Sequence, residues 1–165
     1  MSLERLWADW RSEYVANADV TLAQSGCVMC NLVNAPDDAE ALVLERTDAT
    51  ITVMNLFPYG SGHLMVAPVR HEPSYLDLTD EENAAIARAQ VRALQAIQDT
   101  YAPDGANVGA NLGRAGGAGV PGHLHVHVLP RWNGDTNFMT AIAETRVLPE
   151  SLRAGYDKLK ANWPR

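Results

Sequence analysis

Two periodicities alternate along the chain. Over residues 3–16, Leu3, Leu6, Trp7, Trp10 and Tyr14 recur at helical spacing and predict an amphipathic helix. Residues 27–33 form too short a segment to assign, and residues 34–39 read as a turn rich in Asn, Pro and Asp. Apolar or β-branched strands are expected at 41–44, 50–54 and 63–67, the last preceded by a turn over 57–62 and closed by Pro68. Thr79-Asp80-Glu81-Glu82 is a capping box that opens a long helix. Its apolar face is Ile86, Ala89, Ala93, Leu94, Ile97 and Tyr101, and Pro103 and Gly105 end it. A strand over 107–112, a Gly-rich loop over 113–122, a strand over 123–129 stopped by Pro130, and a last helix over 150–163 complete the pattern. Strands outnumber those of a βαβ alternation, and several are joined by hairpin-length links. The expected class is α+β with a mainly antiparallel sheet.

Length and charge narrow the function. At 165 residues the chain fits one domain, residues 1–165. A net charge of −7 argues against sequence-independent binding to nucleic acid, which needs a basic footprint. The beginning of the chain has no apolar run of signal-peptide type and no segment is long enough to span a membrane, so the expected compartment is the cytoplasm. In a reducing cytosol the only two cysteines, Cys27 and Cys30, read as a metal site or redox pair rather than a structural disulfide.

Three of the five histidines form the row His123-Leu124-His125-Val126-His127. Such a row is expected by chance in only about 0.5% of chains of this length, so it calls for a chemical reading. On a strand, period 2 places the three imidazoles on one face and turns Leu124, Val126 and Val128 to the core. Imidazoles near neutral pH act as nucleophile, general acid or base, phosphate donor or metal ligand. Three close ones cannot all be charged cheaply, so at least one should stay neutral and nucleophilic. An all-histidine zinc site is the competing reading. The glycines of the preceding loop let backbone N–H groups approach an oxyanion, and no Walker-type Gly-Lys-Ser/Thr follows. Phosphate is the natural guest of such a pair of features.

These residues resemble the histidine triad family. His123-Leu-His-Val-His-Val-Leu129 matches its signature, and Asn55, Gly62-His63, Pro68, His71, Asn111 and Gly113 reproduce its other landmarks. The flanks, Leu6-Trp-Ala-Asp-Trp10 and Pro130-Arg-Trp-Asn-Gly-Asp135, are similar to the bacterial branch of diadenosine tetraphosphate phosphorylases and related hydrolases. The resemblance implies a five-stranded sheet with flanking helices, a core over 27–132 between an N-terminal arm (1–26) and a C-terminal extension (133–165), and a homodimer. It implies a nucleotidyl hydrolase or transferase that cleaves dinucleoside polyphosphates through a covalent adduct on His125, with phosphate or water as acceptor. His127 and His63 would contact phosphate oxygens and hold or donate protons. Asn55 would bind the ribose, and Asn111, Gly113, Gly117 and Gly119 would line the phosphate pocket. Trp132 is either a wall for the base or a packing aromatic. No catalytic metal or organic cofactor is implied. A nucleoside phosphoramidase, or a slow nucleotide-binding scaffold, would use the same residues. One departure stands out: residues 118–122 supply no side-chain donor where the family often has Ser, Thr or Gln.

Within that resemblance Cys27, Cys30, His71 and His123 would form a closed, tetrahedral Cys₂His₂ set for structural zinc. His123 would then be unavailable for catalysis. That would leave His63, His125 and His127 for phosphate work.

Overall fold

The structure is a computed structural model that describes residues 26–135 and 148–164. The helix expected over 3–16 lies outside the described residues. Helix α1 (Val28–Val33) is followed by β1 (Val43–Arg46), β2 (Thr50–Met54) and β3 (Leu64–Pro68). A 3₁₀ turn (Tyr75–Asp77) leads into α2 (Asp80–Tyr101), then β4 (Gly105–Gly109), β5 (Val126–Arg131) and α3 (Leu152–Ala161). The strands form one antiparallel sheet in the order β1-β2-β3-β5-β4. The expected α+β class and five-stranded sheet are both found.

Strand alternation gives the sheet two unlike faces. Leu44, Met54, Leu64, Val66, Leu124, Val126 and Val128 face α2 and α3. The contact stripe of α2 is Ile86, Ala89, Ala93, Ala96 and Ile97, and its alanines let the helix axis come close to the sheet. Each large side chain fully buried here contributes ~1.5–3 kcal/mol. The other face carries Val43, Ile51, Val53 and Ala67, covered by Met29 of α1. That short helix covers only part of the face. The remainder holds the histidines.

Capping chemistry fixes the segments that carry site residues. The Thr79–Glu82 box is formed in both directions. Glu82 also binds Arg70, which reaches Glu72 and the Asp77 carbonyl as well. The Arg70 guanidinium, aided by the Thr79 N–H, holds the Glu82 carboxyl down at about 2. The loop containing His71 is thereby tied to the start of α2. On the opposite side Arg46 donates to the carbonyls of Val33 and Ala35 and pairs with Asp38, fastening α1 to β1.

Several strand ends differ from the sequence pattern, among them β1, which is Val43–Arg46 where the pattern predicts 41–44. The strand expected over 123–129 runs from Val126 to Arg131, because Leu124 donates its N–H to the Glu72 carbonyl (2.7 Å) and not to a neighbouring strand. Pro130 does not stop it. Beyond Val128 the strand pairs only with β4, and an edge position tolerates proline. The strand expected over 107–112 is β4 instead, since pairing of Gly105 with Arg131 and Gly109 with His127 sets its length. Helix α2 ends at Tyr101, Ala102 takes the left-handed cap (φ 42°), and Gly105 already belongs to the sheet.

The two sheet edges contrast. At β1, the Val43 and Leu44 carbonyls accept from Tyr156 Oη (3.3 Å) and Lys160 Nζ (2.7 Å) of α3, and Trp163 donates to Glu45. At the other edge all five residues of β4 are exposed. Among the described residues no helix is long and apolar enough to cross a membrane.

Candidate active site and metal cluster

His63 is placed by a glycine. Gly62 has φ +70°, and a Cβ there would lie 2.7 Å from the Tyr101 ring, so both conformation and space demand glycine. The turn delivers His63, fully buried, to the start of β3. Met65 pairs with His127, which makes His63 and His127 diagonal neighbours on one face. Their rings lie 5.0 Å apart, with His63 Nε2 2.9 Å from His127 Nδ1.

Asn55 follows β2 and closes the same hairpin by donating its N–H to the His63 carbonyl (2.9 Å). Its side chain is buried. Oδ1 accepts the Phe57 N–H at 3.0 Å, which orients the amide so that Nδ2 faces His63 Nδ1 at 3.4 Å. Each end of the amide still has capacity for one more hydrogen bond.

His125 lies just before β5, nearly buried, edge-on to His127 with ring centroids 5.1 Å apart. Its Nδ1 is 2.8 Å from the His123 carbonyl. A carbonyl only accepts, so Nδ1 carries the proton and Nε2 keeps its lone pair. Burial pushes the His125 pKa below the ordinary imidazole value, which favours that neutral form. A buried, neutral, tautomer-fixed imidazole with a bare Nε2 has the chemistry to serve as a nucleophile.

The row of three does not act as one unit. His123 precedes the strand, is buried, and points elsewhere. Its Nε2–H donates to the Pro68 carbonyl at 2.9 Å. Its Nδ1 faces Cys27 Sγ at 3.4 Å and Cys30 Sγ at 3.6 Å, and Cys30 Sγ lies 3.2 Å from His71 Nδ1. All four donor atoms lie within 4.8 Å of one another. A tetrahedral zinc with ordinary Zn–S and Zn–N bonds sets its ligand atoms ~3.3–3.8 Å apart, so the donor set fits that ion with little movement. The carbonyl of Pro68 supplies the outer partner that a ligating histidine commonly has. Burial first and the neighbouring Cys27 next raise the Cys30 thiol pKa, and His123 is pushed down by burial first and by its imidazole neighbours next.

Asn111 and the Gly-rich loop leave β4 where Gly109 pairs with His127, at the end of the sheet that bears His125. Gly113 and Gly117 have positive φ. The loop is a tight turn: Gly117 donates to Arg114 (2.9 Å) and Ala118 to Gly113 (3.2 Å), so these two N–H groups are spent within it. Gly119 has no positive φ. Trp132 meets Tyr101 edge-on at 6.1 Å, at the end of α2.

The residue that sequence reasoning missed is Tyr59. Its main-chain N–H donates to His63 Nδ1 at 3.0 Å, and its ring lies 4.6 Å from His63 and 5.5 Å from His127. A main-chain donor has no residue signature. The only available hint was the Pro58-Tyr59-Gly60 turn itself.

Comparison with known proteins points the same way. A family model described as HIT domain matches residues 37–134. A protein of Mycobacterium tuberculosis named AP-4-A phosphorylase is 40% identical over 99% of this chain and 86% of its own length. A Schizosaccharomyces pombe protein named bis(5'-nucleosyl)-tetraphosphatase (asymmetrical) is 33% identical over 56% of this chain and 50% of its own. Among solved structures, a Zn-bound histidine triad family protein from Mycobacterium smegmatis superposes with a TM-score of 0.68 at 29% identity, over 83% of this chain and 92% of that one.

Proposed function

Because the chain belongs to the HIT domain family, we propose that it cleaves dinucleoside polyphosphates by transferring a nucleotidyl group through His125. The observation that carries this reading is the bond from His125 Nδ1 to the His123 carbonyl, which leaves Nε2 as the nucleophile. With diadenosine tetraphosphate, the Nε2 lone pair attacks an α-phosphorus and a P–N bond forms. The P–O bond to the outer chain breaks, its electron pair stays on the departing oxygen, and ATP leaves. The adenylylated His125 keeps its Nδ1 proton on the His123 carbonyl, so the cationic ring that forms is already held. Inorganic phosphate then takes the adenylyl group to give ADP, or water takes it to give AMP.

His127 serves as donor to the phosphoryl oxygens, supported by His63. Asn55 offers its two remaining hydrogen-bonding positions to the ribose. Asn111, Gly113, Gly117 and Gly119 border the polyphosphate. Cys27, Cys30, His71 and His123 hold zinc, which fastens α1 and the loop after β3 to the residue whose carbonyl orients His125. The names of the M. tuberculosis and S. pombe relatives support this substrate class, and the former supports phosphate as acceptor.

Product analysis on diadenosine tetraphosphate, with and without inorganic phosphate, tests the reading. ADP plus ATP formed only with phosphate is the expected result. AMP plus ATP without phosphate assigns water as the acceptor. Absence of turnover in both arms overturns the dinucleotide substrate and directs attention to nucleoside phosphoramidates.

The open edge supports a homodimer. Strand β4 is exposed along its whole length, with Val108 45% and the nearby Val91 of α2 65% accessible. Such an edge invites strand pairing, and pairing with itself about a two-fold axis closes without leaving further edges. Val108→Arg is expected to convert a dimer of the full chain to monomer, read by light scattering on the eluting peak. A wild-type monomer at micromolar concentration would refute this arrangement.

A further inference from the structure

We propose that Tyr59 is a positioning residue: its main-chain N–H locks the His63–His127 pair in one tautomer, so that His127 faces the phosphate as a neutral donor and not as a base. The argument begins at His63 Nδ1. The Tyr59 N–H points at it from 3.0 Å, and Asn55 Nδ2 stands 3.4 Å away. Both are donors. The Asn55 amide cannot present its oxygen instead, because Oδ1 already accepts the Phe57 N–H. His63 Nδ1 is therefore an acceptor, and the His63 proton resides on Nε2.

The same logic passes to the next ring. His63 Nε2–H is 2.9 Å from His127 Nδ1, so that nitrogen accepts and the His127 proton resides on Nε2. The order is one-way: Tyr59 N–H to His63, His63 N–H to His127, His127 N–H onward. An amide N–H does not ionise near neutral pH, so its end of the chain is fixed. For His127 to carry protons on both nitrogens, His63 Nε2 would have to accept, moving the His63 proton onto Nδ1 against two donors. The Tyr59 ring lies over both imidazoles, and His125 stands edge-on to His127. Tyr59 and His125 are thus titratable groups that face the pair among the described residues.

The consequence rests on the reading of His125 as nucleophile. His125 and His127 carry the same side chain, lie 5.1 Å apart, and are given opposite roles by their Nδ1 partners. A carbonyl beneath His125 leaves Nε2 bare for attack. A donor beneath His127 leaves Nε2 protonated for binding an oxygen. The division of labour is set by main-chain groups of His123 and Tyr59.

Long-range ¹H–¹⁵N NMR of the full-length, metal-loaded chain without nucleotide reads the tautomers directly. Both His63 and His127 are expected to show an unprotonated, downfield Nδ1 and a protonated Nε2. A protonated Nδ1 on either ring overturns the proposal. His63→Gln keeps an amide donor for His127 and should hold its Nδ1 unprotonated. His63→Leu supplies none, and the His127 signals should move to the averaged position of two exchanging tautomers. An unmoved His127 in His63→Leu also overturns the relay. Because no substrate is present, failure here is distinct from failure of the nucleotidyl transfer reading, which product analysis alone decides.

Discussion

His125→Ala is expected to lower turnover of diadenosine tetraphosphate by about 10⁴-fold or more, because removal of a covalent nucleophile leaves only the binding and electrostatic parts of catalysis. Nucleotide affinity should change little, since the imidazole acts through one nitrogen on one phosphorus. His127→Ala is expected to cost less, about 10²–10³-fold, the scale for losing one oriented donor to a developing charge. The measurement is single-turnover kinetics with acid quench and mass analysis. The wild-type chain should accumulate an adenylyl adduct on His125, and His127→Ala should form the same adduct more slowly. Retention of more than about one per cent of the rate in His125→Ala, or an adduct on another residue, would remove His125 from the role.

The second large effect concerns the cluster of Cys27, Cys30, His71 and His123. Cys30→Ser is expected to reduce bound zinc from one per chain to a small fraction and to lower Tm by on the order of 10 °C, as loss of several kcal/mol of metal binding does in a chain of this size. Two segments far apart in sequence would be joined by that ion. Helix α1 is otherwise held by the packing of Met29 and by Arg46, and the segment before β5 by Leu124 and the Pro68 carbonyl. Metal content by elemental mass spectrometry and Tm by calorimetry check the claim. A chain purified without metal that melts at the same temperature as a zinc-loaded one would show that the four residues pack without an ion. Activity should also fall on metal loss, since the carbonyl that orients His125 belongs to a ligand residue.

Much of the site was legible because its parts are local. The Thr79–Glu82 box is a four-residue pattern, and it forms as read. The turn before His63 needed a glycine, and Gly62 is there because a side chain would strike Tyr101. Leu124, Val126 and Val128 are buried as strand alternation requires. Strand ends were poorly legible, since they depend on partners. Gly105-Ala-Asn-Val-Gly109 has little strand character of its own and is ordered by pairing with β5. The segment at His123 has good strand character but finds a carbonyl of Glu72 in place of a neighbouring strand. The edge-on contact of Trp132 with Tyr101 is likewise a product of the fold, since nothing local brings the two rings together.

The sequence by itself determined the chemistry available: three imidazoles at period 2, a fourth beside a glycine turn, and two thiols that a fifth histidine and one of the row complete as a metal set. Side-chain type and short-range spacing are enough for that, because nucleophilicity and ligand softness belong to the residue. Only the tertiary structure decided which ring nitrogen of each imidazole faces which partner. Protonation at a given ring nitrogen is set by the group opposite it. Those groups are main-chain atoms of Pro68, His123 and Tyr59, brought into place by the folding of distant loops. Every residue but proline offers the same amide, so no sequence pattern announces which one will face a histidine.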